Sequence, residues 1–505
     1  MTSSSKRQTR PLTAAGTAGR GGPLWTLVIV SIALFMVVLD NLVVTVALPS
    51  IREDFGASLQ DLEWTVNAYV LTFAVFLLTG ASLGDRFGRK RIFLLGVGLF
   101  TVASAAAALA PGADALVLAR ATQGVGAALV APLTLTLLAE AFPADRRGLA
   151  LGIWSGITGA GVALGPVVGG AVVEGISWHW IFWINVPIGL VLMPVAARLL
   201  SESHGGSGSL DPGGLALAGA GLFGLVFGLV RGQALGWGSP VIAAALAMGL
   251  ALLAAFVVWE RRTPAPMLKI DLFKRRAFAV TNGVGLLMTF GMFGSIFLLT
   301  QFLQFGSGLS PWEAGVRIAL WTGTTMLVAP AAGVLAERYG ARLFMASGLA
   351  MQAIALGWLA LILEPGLAFG SMAVPFIFAG AGMGLVFAPS AAALLGAVSE
   401  SEAGQASGAN NAIREVGGVL GVAVLGAIFA GAGSYASPEA FMAGTTPAVW
   451  TGAGVLALGS MLALLLPRVE RVRRTERVRP EPESARLAPH GAIGPAPASP
   501  ALARR

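Results

Sequence analysis

Fourteen apolar runs of about twenty residues follow one another along this 505-residue chain, and each is long enough to cross a bilayer as a helix. They are centred in 27–48, 62–82, 92–110, 114–138, 149–173, 179–199, 213–231, 240–259, 278–303, 312–336, 343–363, 369–397, 404–431 and 447–466. Turn signals such as PGAD (111–114), DPGG (211–214) and LSPW (309–312) separate them. A transmembrane barrel would show ten-residue alternating segments instead. Charge agrees, at 11% of residues against about 25% in an ordinary soluble domain. The chain is expected to be an all-α membrane protein of fourteen transmembrane helices.

Three of the 33 basic residues (Arg52, Arg231, Arg317) fall in loops on one side, and two (Arg120, Arg414) lie inside apolar runs. The other 28 lie in the tails and the alternate loops. The positive-inside rule therefore puts both termini in the cytoplasm, and it explains the net charge of +8 without nucleic acid. The first apolar run is too long for a cleaved signal peptide and lacks a cleavage site. Residues 1–23 read as a cytoplasmic tail and 468–505 as a basic, Pro/Ala-rich tail without an apolar face. The arginines of 468–479 anchor topology or bind anionic lipid.

The chain repeats itself. LGDRFGRKR (83–91) after the second run returns as LAERYGAR (335–342) after the tenth. Asp85, Arg86, Gly88 and Lys90 fall on Glu337, Arg338, Gly340 and Arg342 at a constant offset of 252. Gly148, Ala150, Gly152, Gly161 and Gly165 of the fifth run fall on Gly404, Ala406, Gly408, Gly417 and Gly421 at offset 256. Two six-helix bundles, 24–200 and 278–467, share one plan, and 201–277 is a linker carrying two extra helices. That insert is expected to lie at the periphery. Removing it leaves roughly 29 residues per helix, a normal span plus loop.

No cysteine is present, and His179, His204 and His490 are too scattered to bind a metal. None of the four lysines (Lys6, Lys90, Lys269, Lys274) precedes Ser or Thr, so no phosphate-cradling loop is encoded. GAGVALG (159–165) resembles a dinucleotide fingerprint but lies inside an apolar helix. Uphill work must then draw on an ion gradient, with no bound cofactor.

Charges inside a bilayer cost roughly 2.5–3.5 kcal/mol each on insertion scales. Asp40 and Arg120 lie roughly 13 and 9 Å below the outer surface, counted at 1.5 Å per residue, so they can meet. Asp40 is either a static ion pair or an acid that titrates beside a cation. Glu415 lies near mid-membrane beside Arg414, the two pointing about 100° apart. Glu140 and Glu174 read as solvated helix ends. Arg89 and Arg91 complete the basic loop around Asp85, an arrangement that suits a latch with Glu337, Arg338, Gly340 and Arg342, paired in one conformation and broken in the other. Gly161, Gly165 and Gly169, four apart, give one flat packing face. Pro166, beside Gly165, is expected to kink that helix, and Gly152 and Gly170 extend the glycine pattern. Asn41, Trp64, Asn67, Gln123, Trp154, Gln301, Gln304, Asn410 and Asn411 are candidate cavity residues or, read singly, packing residues.

These segments resemble the major facilitator superfamily, and within it the fourteen-helix drug:proton antiporters. LDNLVVTVALP (39–49) looks like their helix-1 motif, LGDRFGRKR like the loop 2–3 motif, and RATQGVGAA (120–128) like the helix-4 motif. The pattern around Gly165-Pro166 looks like the antiporter motif, and WHWIFWINVPIG (178–189) like a fourteen-helix subgroup pattern. Ala81 replaces a motif glycine, His179 stands where arginine is usual, and Val422 stands where the second half would repeat Pro166. The resemblance implies alternating access and proton coupling through Asp40 and Arg120. It implies export of a small amphipathic organic substrate from the plasma membrane by a monomer. A proton-coupled uptake carrier is the alternative, and a membrane enzyme or scaffold is a third.

Overall fold

The computed structural model describes residues 22–204, 211–264, 266–398 and 402–467. In the first half lie α1 (Gly22–Phe55), α2 (Leu59–Phe87), α3 (Arg89–Ala108), α4 (Ala113–Ala141), α5 (Ala144–Gly175), the short α6 (Trp180–Trp183) and α7 (Asn185–Leu199). Next come α8 (Pro212–Leu235) and α9 (Pro240–Arg262). The second half holds α10 (Arg276–Gln301), α11 (Pro311–Tyr339), α12 (Ala341–Ile362), α13 (Phe369–Gly396), α14 (Ala403–Ala432) and α15 (Pro438–Ala463). Among the described residues, twelve helices are long and apolar enough to span a membrane. The bent α2, if one span, makes a thirteenth. The stretch Leu164–Gly175 of α5 is shorter but apolar.

The repeat read from two loops extends to both ends of α2 and α11. Ser58 and Asp61 cap α2 reciprocally, with the Ser58 N–H donating to Asp61 Oδ2 at 2.9 Å. Ser310 and Glu313 do the same for α11, at 3.0 Å. Gly88 and Gly340 end these helices at φ 106° and 89°, a region open to glycine but costly for other residues. All of these pairs stand 252 residues apart. The motif glycines are therefore helix stops, which lets α3 and α12 turn back at once.

Packing repeats in the same way. α1 lies on α5 as α10 lies on α14, α2 on α4 as α11 on α13, and α3 on α7 as α12 on α15. The halves meet along two seams, α5 on α11 and α2 on α14. The inserted α8 covers the α2–α14 seam, while α9 packs on α8 and the short turn Ile270–Lys274. Val241, Leu250 and Val258 of α9 stay exposed, as suits a surface against lipid. Among the described residues the insert is thus asymmetric, packing on the α2–α14 seam.

Glycine sets the closeness at α5. A Cβ on Gly165 would lie 2.7 Å from Leu42 Cβ, and one on Gly169 would lie 3.0 Å from Val43 Cα, both on α1. Gly161 meets Phe35 of the same helix. Gly170 faces α11, where a Cβ would lie 2.8 Å from Trp312 Cα, and Gly315 of α11 meets the Pro166 carbonyl in return. One helix thus carries two glycine faces, one toward its own bundle and one across the seam. α5 stays helical through Pro166. The surroundings of Gly152 and the side chain of Glu337 lie outside the described part.

Candidate functional site

Asp40 and Arg120 do meet. Both are 0% exposed, and the Arg120 guanidinium donates from Nη1 to Asp40 Oδ2. Asp40 Oδ1 accepts from Gln123 Nε2 at 3.1 Å and from Asn185 Nδ2 at 2.7 Å. Gln123 returns a bond, accepting from Arg120 Nη1 at 2.9 Å, and its amide nitrogen also donates to Ser104 at 2.8 Å. Arg120 Nε reaches the Thr65 carbonyl at 3.3 Å. The Tyr69 ring lies under the guanidinium at 4.2 Å, and the Phe182 ring at 5.7 Å. Tyr69 OH is in turn held by the Val37 carbonyl. Five membrane helices and α6 contribute to one buried polar node. A charge so far from water needs paired, hydrogen-bonded partners, and here both ions have them.

The sequence pointed to Asp40, Arg120 and Gln123 but not to Ser104, Thr65, Tyr69 or Asn185. Asn185 is the instructive omission, because it sits in the aromatic stretch 178–189 and reads there as interface. The short α6 and the break at Ile184 turn its amide inward.

Among the described residues, the second half lacks this node. Gly124 packs on Tyr69, and Gly380 packs likewise on Trp321, so Tyr69 corresponds to Trp321 and Arg120 to Phe376. Trp321 and Phe376 form a buried ring pair at 6.0 Å. An aromatic contact stands where the first half holds its ion pair.

The other candidates are distributed. Arg414 lies over the Phe387 ring at 4.3 Å. Neighbouring Glu415 is half-buried, its Oε2 without a partner, so the two do take different surroundings. Asn411 is exposed, Asn41 is half-exposed and Trp154 is partly buried. Asn410 donates to Asn282 at 3.1 Å. Asn67 is fully buried with both amide atoms unpartnered. Trp64 packs on Phe223 of α8 at 5.7 Å, so it faces the inserted hairpin.

Several residues close the end of the bundle opposite the basic loops. Gln304 donates to the Val46 carbonyl at 2.8 Å, from the second half to the first. The Trp312 N–H donates to Glu174 at 3.0 Å. Arg52 stacks over Tyr435 at 3.8 Å, and the Tyr435 hydroxyl donates to Gln301. Phe305, Phe429 and Phe441 surround that tyrosine. Glu174, expected to be merely solvated, therefore joins the halves. A cavity of about 390 Å³ beside Arg52, Gln60 and Gln233 opens above this closure.

At the basic end, the loop after α2 finds its partners close by. Arg89 pairs with Asp85 at 2.7 Å and with Glu140, which the sequence had suggested is only solvated. Lys90 Nζ donates to the Leu200 carbonyl at 2.9 Å, and Glu202 takes the Lys90 N–H at 3.0 Å and Arg91 at 3.7 Å. Arg86 rests on Phe87, and Arg338 on Tyr339. Arg342 keeps a buried Nε without a partner. The described contacts of Arg89, Lys90 and Arg91 stay within the first half and the start of the linker.

The sequence matches the model of the Major Facilitator Superfamily over residues 30–216, 213–422 and 281–504. The chain belongs to that superfamily. It is 35% identical over 83% of its length to a tetracenomycin C resistance and export protein of Streptomyces glaucescens, covering 77% of that protein. It is 36% identical to a multidrug efflux pump of Mycolicibacterium smegmatis, over 87% of this chain and 86% of the pump. To a cephamycin export protein of Amycolatopsis lactamdurans it is 37% identical, over 88% and 93%. The expected kinship with the drug-exporting members of the superfamily therefore holds. A crystal structure of a POT family transporter has the same fold, with a TM-score of 0.66 at 15% identity, covering 87% of this chain and 95% of that one.

Proposed function

We propose that this chain is a proton-driven exporter of amphipathic organic compounds, working as a monomer by alternating access. The observation that carries the proton coupling is the buried node. An acid held by a guanidinium and two amides, with its second-half counterpart apolar, is suited to bind and release a proton as the bundle moves. The names of the relatives support an organic drug or antibiotic as substrate. On this reading fourteen helices span the plasma membrane, with α2 and α5 counted as full spans and both tails in the cytoplasm. The bundles are 24–200 and 278–467, and 201–277 is the insert. The sealed end then faces outward, so the conformation is inward-facing, and the latch between Asp85 and the Glu337 loop would engage in the outward-facing state.

The test uses purified protein in liposomes with ethidium as probe. Imposing a proton gradient should drive ethidium transport, and adding ethidium should release protons. Transport without proton movement would refute the antiport reading.

A further inference from the structure

α2 carries a second buried acid that the node does not use. Glu63 is 2% exposed and lies on the α2–α14 seam, its carboxyl set against Gly426 so closely that a Cβ there would collide with Oε1. It makes no ion pair among the described residues. On elements packed against this outer part of α2, the charged or titratable groups are Asp40, Arg52, Glu53 and Asp54 of α1, Asp114 and Arg120 of α4, Arg231 of α8 and Tyr435 after α14. α3 offers none there, and α14 offers none beyond Glu415. Arg120 is committed to Asp40, and Arg52 lies over the Tyr435 ring with its Nε left without a hydrogen-bond partner. On α2 itself, Asp61 is tied to Ser58.

We infer that Glu63 is a second proton-coupling acid, whose protonation permits the α2–α14 seam to close and whose deprotonation drives it open. The inference rests on the antiport reading above. A bare carboxylate wedged between two helices, without a cation, is strongly disfavoured, whereas the neutral acid fits. With the seam open, water reaches Glu63, which takes a proton from the outside and becomes a carboxylic acid. With the seam shut, the proton can leave only inward. One turn along α2, Asn67 holds an unpartnered amide oxygen and nitrogen, and a water between them would continue the path. The carboxylate left behind then destabilises the seam and favours the outward-open state. Inward loss of a proton and outward opening thereby become one event, as antiport requires.

The chain has no cysteine, so single cysteines report cleanly. Val66→Cys and Ala423→Cys place thiols in α2 and α14 at positions that are 4% and 0% exposed here. The full-length protein in detergent is labelled with a maleimide from about pH 5.5 to about pH 9, a range that brackets the shifts burial gives a carboxyl. Taken relative to the same cysteine in the unfolded protein at each pH, which cancels the thiol's own ionisation, labelling should rise several-fold with pH when Glu63 is present, and should stay low and flat in Glu63→Gln. Glu63→Asp should restore the pH response. Gly426→Ala, which props the seam apart, should label fast at every pH. A Glu63→Gln protein that follows the parent curve overturns the inference, as does a parent with no pH response. So does Gly426→Ala with unchanged slow labelling. Labelling needs neither substrate nor gradient, so failure to move ethidium would count against the antiport reading and leave this test intact.

Discussion

Replacing Asp40 by asparagine keeps the shape of the node and removes its negative charge. Aspartate accepts from three donors: Arg120, Gln123 and Asn185. Asparagine offers one oxygen and one amide nitrogen. With its oxygen kept toward Arg120, its nitrogen meets the amide nitrogens of Gln123 and Asn185. Asn185 can turn over cheaply, because its Oδ1 has no partner. Gln123 cannot, because its oxygen accepts from Arg120 and its nitrogen donates to Ser104. One hydrogen bond is lost, about 1 kcal/mol. A buried guanidinium also loses its counter-charge, and breaking such a pair costs about 3–5 kcal/mol. The expected loss is therefore of order 4 kcal/mol, while the apolar spans still insert.

Arg120→Gln should cost a similar amount from the other side of the pair. The double variant Asp40→Asn/Arg120→Gln buries no charge, so it should recover about 1–3 kcal/mol relative to the sum of the singles. Reversible unfolding of the full chain in mixed detergent micelles measures all four corners of the cycle. Ethidium-induced proton release from liposomes should be abolished in Asp40→Asn and strongly reduced in Arg120→Gln, with Arg120→Lys keeping part. A loss under about 1 kcal/mol for Asp40→Asn, with additive singles, would refute the buried ion pair. Normal proton release by Asp40→Asn would make the node structural and move attention to Glu415.

Three further outcomes are expected. Gly170→Leu should insert but lose transport, because its side chain enters the Trp312 backbone across the seam, whereas Gly156→Ala, in open space, should transport normally in the same ethidium assay. A reporter fused after Arg479 should be active only on the cytoplasmic side, and activity on the outer side would break the even span count. Single cysteines at Val241, Leu250 and Val258 of α9 should label at rates unaffected by ethidium, and protection at adjacent positions would place α9 at the substrate path.

What the sequence disclosed follows from what is local in it. Spans are legible because a bilayer demands about twenty apolar residues in a row wherever a helix crosses. The repeat is legible at Gly88 and Gly340 because a helix stop is written in two or three residues. The capping pairs Ser58–Asp61 and Ser310–Glu313 were equally local, and the same offset would have found them. Glu63 was not legible. Four residues from the start of α2 it looks like a loop charge, and its burial depends on Gly426 of a helix far along the chain. Glu140 and Glu202 were hidden for the same reason, since each gains its role from a basic loop folded back upon it.

The two buried acids of the first half are linked through one straight stretch of α2, Leu59–Leu77, before its bend. α2 presents Glu63 to the α14 seam, the Thr65 carbonyl to Arg120, and the Tyr69 ring beneath the same guanidinium, all within two turns. A helix passes on rotation and translation far better than it bends, so a displacement of α2 away from α14 must also move Thr65 and Tyr69 against Arg120. Arg120 would then shift relative to Asp40, lengthening or shortening the buried contact between them. The second half has Trp321 and Phe376 at the matching places, so a movement of α11 against α13 there disturbs no buried ion pair. The contact between Asp40 and Arg120 is therefore tied to the seam that Glu63 occupies, and α8, packed across that seam, is placed to limit how far it opens.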